Sequence, residues 1–586
     1  MSDIKVVIDN KEVLVPSGST ILDATKKAGV HVPTLCHLDL HDTKMVNQAA
    51  SCRVCVVEVD GRRNLAPSCA TPATNGMVVR TNSMRVLEAR KTVLELLISD
   101  HPKDCLSCAK AGECELQDLA ERCGLRQIGI TGDAQSTYKK DITRSLIRDM
   151  DKCIMCRRCE TMCNTVQEVG ALSGINRGFN AVISPAFELP MGETVCTHCG
   201  QCVAVCPTGA LTENDATWEV VQALADPEKV VVVQTAPAVR VAIGEEFGRE
   251  PGSIVTGQMV TALRQLGFDH VFDTDFAADL TILEEGTELL GRLEAFLGGD
   301  AKALPILTSC CPAWVNFIES QFPELIDIPS TAKSPQQMFG AIAKTYFAEK
   351  LNIPREKMVV VSVMPCLAKK YEATRKEFSV DGNPDIDIVI STRELGQLIK
   401  HANIELTALE ETEFDNPLGM STGAGVIFGT TGGVIEAAVR TAYEVYTKKP
   451  LPKIDFEELR GFEGVRVAAV DVDGLMLNIG IAHGLGNARA LLTEVRDGNP
   501  RNLHAIEVMA CPGGCIGGAG QPYHHGNSDI IKKRQAAIYQ IDKDMPIRKS
   551  HENPAITEIY EAYLGKPMGE LSHKLLHTHY HIKDKV

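Results

Sequence analysis

Residues 507–522 read EVMACPGGCIGGAGQP, placing Cys511 and Cys515 on one loop whose glycines let the backbone wrap closely around something bulky. The preceding His504 to Met509 reads as a short apolar strand, and the glycines that follow argue against a helix through the loop. Two other stretches repeat the plan. LPILTSCCPAW (304–314) carries Cys310 and Cys311 after an apolar run, and MVVVSVMPCLAKKYE (358–372) carries Cys366 after another. In an open parallel sheet, strand ends share one face and ligands gather in the crevice there, so three distant segments can converge. A cubane iron–sulfur cluster takes four thiolates, which leaves one of these five thiols for another task.

Buried structural cysteines are the plainer alternative, and they account well for lone thiols. They do not account for three Cys-bearing loops, each with glycine or proline beside the thiol and each after a β-like run. TSCCPAW, MPCLAKKYE and EVMACPGGCIGGAGQP resemble the three signature segments of the [FeFe]-hydrogenases, and the resemblance extends over essentially the whole chain.

At 586 residues the chain is too long for one domain. A net charge of −16 disfavours nucleic-acid binding. The 21 cysteines occur in tight groups with metal-ligand spacing, which in a chain of this size favours metal or redox use in a reducing compartment over disulfides. The opening MSDIKVVIDN has no signal pattern, and the apolar runs fall short of the ~18 residues of a membrane span. A cytoplasmic location is the expectation.

IKVVIDNKEVLVPSGSTILDATKKAGV predicts strand, Asp-Asn turn, strand and amphipathic helix. Cys36, Cys52, Cys55 and Cys69 follow, a set that suits zinc or a [2Fe–2S] cluster; the hairpin-helix context resembles the ferredoxin-like module that opens many hydrogenase and respiratory dehydrogenase subunits, which implies [2Fe–2S]. Next come a helical stretch at 84–100 and HPKDCLSCAKAGEC, with His101, Cys105, Cys108 and Cys114. A four-ligand site must recruit His101 or Cys123, the plainer alternatives being a Cys₃His zinc site or an unliganded His at a helix end; similarity to the His(Cys)₃ segment of the same subunits implies His101 and a [4Fe–4S] cluster, leaving Cys123 without a role. Residues 124 to 145 read as a polar connector. CIMCRRCETMC (153–163) and CTHCGQCVAVCP (196–207) both carry C-x₂-C-x₂-C-x₃-C, the two-cluster ferredoxin pattern in which the fourth cysteine of each run serves the other cluster. Cys153, Cys156, Cys159 and Cys206 are then one set, and Cys196, Cys199, Cys202 and Cys163 the other. Such modules in series have no evident substrate pocket, so their simplest use is as an electron relay. Beyond Trp218, strands alternating with helical stretches predict βαβ units and parallel sheets.

The expected architecture is multidomain α+β and α/β: a β-grasp [2Fe–2S] domain (1–80), a His(Cys)₃ [4Fe–4S] domain (81–122), a two-cluster ferredoxin-type domain (141–216), a two-lobed catalytic domain with parallel sheets (217–528) and a C-terminal wrapping segment (529–586). The resemblance implies that Cys311, Cys366, Cys511 and Cys515 hold a [4Fe–4S] cubane, with Cys515 also bridging to a diiron unit that carries CO, cyanide and a dithiolate. Pro237, Ala238, Gln336, Met364, Phe428, Met509 and Lys369 occupy the positions that pack or hydrogen-bond that unit, Ala238 through its backbone only. Cys310, Glu285, Ser330, Glu288 and Arg292 match the family's proton relay. The tail histidines His573, His577, His579 and His581 read as a surface helix without metal. No GxGxxG follows a strand, so nucleotide chemistry is expected on partners. The whole resembles the catalytic subunit of the multimeric, NADP-reducing kind, with flavin- and NAD(P)-binding iron–sulfur partner subunits and ferredoxin as a further partner. The rivals are a stand-alone ferredoxin-dependent hydrogenase and a non-catalytic iron–sulfur assembly or H₂-sensing homologue.

Overall fold

The computed structural model describes residues 2–40, 42–130 and 139–583. The chain forms two compact units, residues 1–165, 170–194 and 202–212 in one, and 166–169, 195–201 and 213–586 in the other.

In the first unit, the strands Asp3–Ile8 and Lys11–Pro16 pair antiparallel about Asp9 and Asn10. Both turn residues have positive φ (45° and 69°), the two-residue turn whose twist matches that of the flanking strands. Helix Ile21–Lys27 follows, its start closed by a reciprocal capping box between Thr20 and Asp23. Asp3–Ile8 also pairs in parallel with Met77–Arg80, and Val56–Val59 continues the sheet on the far side of that strand. Val6, Ile8, Ile21, Val57 and Val79 fill the space between sheet and helix. Helix Met84–Ser99 and helix Glu115–Arg122 share a second small core with Leu35, Cys36 and Cys52. Most of the central part of the expected connector, 131–138, lies outside the described residues; at its far end Asp141–Ile142 pairs antiparallel with Leu146–Arg148.

The second unit holds two sheets. In one, His270–Asp273, Val230–Thr235, Met358–Met364 and Ile388–Ser391 are all parallel. In the other, Ile306–Leu307, Ala505–Met509 and Leu475–His483 are parallel, while Val465–Val472 is antiparallel to Leu475–His483. This hairpin turns at Asp473 and Gly474, both at positive φ, as an Asp-Gly pair between two apolar runs favours. The parallel-sheet expectation therefore holds with one mixed sheet. The three Cys-bearing strands divide between the two, with Met358–Met364 in the first and the others in the second.

Buried polar side chains pin the first sheet to its helices. Gln234 Nε2 donates to the Gln336 carbonyl (3.1 Å) and to Ser362 Oγ (2.8 Å), and its Oε1 accepts from Thr274 (2.9 Å). The tail belongs to this unit: Ile556, Ile559, Tyr560, Leu564 and Leu576 enter the core of the first sheet. A surface helix bearing four histidines is corrected here. The helix ends at Leu576, and His577 is buried, because Leu576–Thr578 pairs backbone to backbone with Thr331–Lys333.

Candidate active site and cluster-binding sites

Cys310 and Cys311 lie between strand Ile306–Leu307 and helix Pro312–Gln321, where Cys311 is the N-cap and Pro312 opens the helix. Trp314, fully buried, ties this turn by donating from Nε1 to the Thr308 carbonyl (2.9 Å). Cys366 follows strand Met358–Met364 through Pro365, and Cys511 and Cys515 follow strand Ala505–Met509. The two loops touch: Gly520 N donates to the Pro365 carbonyl (2.9 Å), and a Cβ on Gly518 would stand 2.1 Å from that same oxygen. Only glycine lets the chain pass there. Segment 195–201 packs on the same spot, since a Cβ on Gly200 would meet Ala519 and Leu367 at 2.8 Å. Gln201 Nε2 donates to the Gly517 carbonyl (3.1 Å) and Asn316 Nδ2 to that of Cys196 (3.1 Å).

Cys366 and Cys511 are buried, whereas Cys310, Cys311 and Cys515 are partly exposed. Burial pushes all five thiols upward, and Cys366 and Cys511 are raised further by the neighbouring Cys311 and Cys515. Mutually repelling thiolates in so dry a place become favourable once iron supplies positive charge, so this donor set fits a cluster. Cys310 and Cys515 pack against an apolar group that includes Ala238, Phe428, Met509 and Ile516. Pro237 and Met364 are likewise buried, at the ends of adjacent parallel strands. The Ala238 carbonyl accepts from Gln521 Nε2 (2.8 Å), a residue that sequence reasoning did not single out.

The polar side of the site centres on Glu372, also missed. Its buried carboxylate accepts from Lys369 (3.0 Å), Ser334 (3.0 Å) and Gln336 (2.9 Å). The only sequence signal was its place on the short helix that begins two residues after Cys366. Burial opposes the charge on Lys369, yet Glu372, with Cys310 and Cys366, outweighs it and leaves the ammonium's pKa raised. Lys369 Nζ also donates to the Cys310 carbonyl (3.1 Å), so two of its three N–H donors are used.

Helix Thr274–Leu297 carries Glu285, Glu288 and Arg292. Arg292 Nη2 donates to Glu288 Oε1 (2.6 Å), and Ser330 Oγ donates to Glu288 Oε2 (2.9 Å). These three residues form one hydrogen-bonded string. Glu285 is not joined to it directly: its buried Oε2 has no hydrogen-bond partner, and after burial it is the charge that acts most strongly on the Cys310 thiol. The thiol of Cys310 therefore stands well above the near-neutral value that its residue type suggests, so at neutral pH it carries its proton.

Burial, with Glu288 and Glu507 nearby, pushes Glu285 up from 4.5 to about 8. Between those values the folded chain binds a proton that the unfolded chain has lost. The stability contributed by neutral Glu285 is thus complete below about pH 4.5 and lost as pH rises through about 8. In thermal unfolding of the full chain, Glu285→Gln is expected to flatten the decline across that window. An equally steep decline in both proteins would mean that Glu285 is ionised throughout.

In the first unit, Cys36, Cys52, Cys55 and Cys69 are all buried; Cys36 lies within hydrogen-bonding reach of Cys52 and Cys69, and Cys69 stands 3.4 Å from Cys55. One cavity is lined by Cys153, Cys156, Cys159 and Cys206, joining three thiols of one ferredoxin-like run to the last thiol of the other. The two runs share a local conformation. Met155 and His198 both have positive φ, and the N–H of each donates to the preceding cysteine's sulfur at 3.4 Å. Cys163 and Cys202 belong to the first unit, Cys196 and Cys199 to the second. Cys108 and Cys114 are electrostatic neighbours, and Cys105 is exposed. His101 faces Lys152, Asp104 and Asp149; burial and then Lys152 lower its pKa, keeping the imidazole neutral as a metal ligand requires. Cys123 caps helix Glu115–Arg122, beside Arg90.

Residues 229–519 match the model of the iron only hydrogenase large subunit, C-terminal domain, and residues 528–583 that of the iron hydrogenase small subunit. Upstream, 2–84 match a 2Fe-2S iron-sulfur cluster binding domain, 90–128 the NADH-ubiquinone oxidoreductase-G iron-sulfur binding region, and 149–210 a 4Fe-4S dicluster domain. The chain is 66% identical to the NADP-reducing hydrogenase subunit HndD of Solidesulfovibrio fructosivorans over the full length of both. It belongs to the [FeFe]-hydrogenases. Iron hydrogenase 1 of Clostridium pasteurianum is 38% identical, over 98% of this chain and 99% of that one. The structure of apo [FeFe]-hydrogenase HydA1 from Chlamydomonas reinhardtii superposes with a TM-score of 0.57 at 44% identity, over 63% of this chain and 99% of that one. This hydrogenase thus combines iron–sulfur domains with a catalytic domain of the H-cluster type. Among the described residues no helix is long and apolar enough to cross a membrane.

Proposed function

We propose that this hydrogenase is the hydrogen-converting subunit of a larger cytoplasmic assembly, carrying out 2 H⁺ + 2 e⁻ ⇌ H₂ and exchanging the electrons with flavin- and NAD(P)-binding iron–sulfur partner subunits, with ferredoxin as a further partner. The observation that carries this reading is the full-length likeness to a chain named as a subunit of an NADP-reducing hydrogenase, together with a five-thiol crevice in the catalytic domain.

Within that reading, Cys311, Cys366, Cys511 and Cys515 hold the cubane, and Cys515 also carries the diiron unit. When bound, that unit supplies a metal centre at which protons and electrons are combined. Ala238, Phe428, Met509, Pro237 and Met364 keep water from it, and Gln336 orients Lys369 through Glu372. The remaining N–H of Lys369 suits an anionic ligand such as cyanide. Protons pass from Arg292 to Glu288 and Ser330, then to Glu285 and Cys310, with the unpartnered Glu285 Oε2 as the oxygen left open for the transfer. In segments 1–80, 81–122 and 141–216, one [2Fe–2S] cluster sits on Cys36, Cys52, Cys55 and Cys69. Three [4Fe–4S] clusters sit on His101 with Cys105, Cys108 and Cys114, on Cys153, Cys156, Cys159 and Cys206, and on Cys163, Cys196, Cys199 and Cys202. Residues 217–528 form the catalytic domain and 529–586 its closing segment.

The test is the matured chain purified alone. H₂ is expected to reduce an artificial dye but neither NAD nor NADP, and adding the co-purifying partner subunits restores nucleotide reduction. Reduction of NAD(P) by the isolated chain would overturn the division of labour.

A further inference from the structure

Glu288 receives hydrogen bonds from two directions. Arg292 donates to Oε1 from Nη2 (2.6 Å) and Nε (3.1 Å). Oε2 accepts from Ser330 Oγ (2.9 Å) and the Thr331 backbone N–H (3.0 Å), with Thr331 Oγ1 at 3.2 Å. That hydroxyl has a second neighbour, His577 Nδ1, at 2.8 Å. On its other edge, His577 Nε2 stands 3.1 Å from Glu284 Oε2, and Glu284 is itself held by Tyr560 OH (2.5 Å) and the Met568 N–H (2.7 Å). His577 and Glu284 are both buried. The backbone makes this aim rigid, since Lys333 N donates to the Leu576 carbonyl and Thr578 N to the Thr331 carbonyl, each at 2.8 Å.

A packing role alone does not account for the set. Glu288 is already satisfied by Arg292, Ser330 and the Thr331 backbone, and a buried imidazole between a hydroxyl and a carboxylate depends on its tautomer in a way that an apolar side chain would not. Thr331 has one hydroxyl proton and two neighbours to give it to, the condition for passing a proton on. His573, exposed, lies parallel to His577 with ring centroids 4.7 Å apart, and exposed His579 follows in the chain, so titratable groups lead from His577 to solvent. The charged and titratable groups facing His577 are Glu284, Glu288 through Thr331, His573 and His579; Arg292 lies beyond Glu288, and Tyr560 is a neutral donor to Glu284.

We propose that His577 and Thr331 form a second proton branch onto Glu288, entering at the carboxylate oxygen opposite Arg292; this rests on the relay reading above. In the direction of H₂ formation, the Nδ1–H bond of protonated His577 breaks as its proton moves to Thr331 Oγ1. The hydroxyl's own proton moves to Glu288 Oε2, and neutral His577 keeps its Nε2–H on Glu284. His577 then regains a proton from the solvent side. In H₂ uptake every transfer reverses.

The experiment uses the full, matured chain with a reduced dye and compares Arg292→Leu, His577→Phe and the double variant. Two parallel branches predict that each single variant keeps measurable turnover, while the double falls at least tenfold below the product of the single effects. Thr331→Val should reproduce the synergy and Thr331→Ser should not. Added imidazole should restore turnover to His577→Gly in the Arg292→Leu background, which a merely structural role would not allow. A double variant no worse than the poorer single, or single effects that simply multiply, would overturn the branch. Glu288→Gln separates the two levels of the argument: normal turnover there overturns the relay itself, whereas loss of turnover without synergy in the double variant overturns the branch alone.

Discussion

Cys310→Ser is expected to assemble every cluster and yet lose H₂ production and uptake by about 10²–10⁴-fold, the range supplied by a positioned proton-transfer group. The two adjacent cysteines sit in different surroundings. Cys311 caps helix Pro312–Gln321, which fixes its direction, while the carbonyl of Cys310 is tied to Lys369 and its side chain packs with Cys515 among Ala238, Phe428 and Met509. After burial, the influence felt most strongly by that thiol is Glu285, the carboxyl nearest it on the proposed relay. Serine preserves the shape but holds its proton far more tightly than a thiol, so the transfer should stall while the metal centre remains. Cys311→Ser should instead impair the cubane. Iron content, infrared CO and CN bands and turnover, measured on both variants, check this, and near-normal turnover in Cys310→Ser would remove the thiol from the mechanism.

Gly518→Ala is expected to damage the catalytic site as severely from outside the set of thiols. Its backbone φ/ψ is one any residue adopts, near −62° and 147°, so the demand for glycine is purely one of space. An added methyl would meet the Pro365 carbonyl at 2.1 Å and the Cys515 carbonyl at 2.8 Å, both main-chain atoms that no rotamer change can move aside. Relief requires the Cys511–Cys515 loop to shift away from Cys366. Overpacking of this kind costs about 1–3 kcal/mol. A misplacement of about 1 Å at a reacting centre costs about 10²-fold in rate. The iron–sulfur clusters of the first unit should remain visible by EPR while iron bound in the catalytic domain and turnover both fall. Normal loading and turnover would show that the loop has room the geometry denies it.

The N-terminal hairpin illustrates what was legible. Asp9-Asn10 between two alternating apolar runs is a local signal, and its two positive φ angles are what those residue types favour. The ferredoxin-like runs are local as well, because the C-x₂-C-x₂-C spacing shapes its own loop wherever it stands, as the matching conformations of Met155 and His198 show. The hairpin at Asp473-Gly474 carried an equally local signal and was passed over beside the stronger cysteine motifs. His577 was misjudged for a different reason. Its charged, aromatic neighbourhood reads as a surface helix, and nothing near it in the chain announces pairing with Thr331–Lys333, more than two hundred residues earlier.

The amino-acid sequence by itself determined the family, the order of the iron–sulfur modules and the chemistry of the donor groups, because thiol spacing within a loop is a short-range constraint that needs no knowledge of the rest of the chain. Only the tertiary structure decided that the cysteines of the catalytic domain follow strands of two sheets rather than one, that Glu372 gathers Lys369, Gln336 and Ser334, that Gly518 and Gly520 let two loops touch at Pro365, and that His577 reaches Glu288 through Thr331. Each of these depends on residues far apart in the chain meeting at hydrogen-bond or van der Waals distance, and such meetings leave no periodicity or spacing in the sequence to be read.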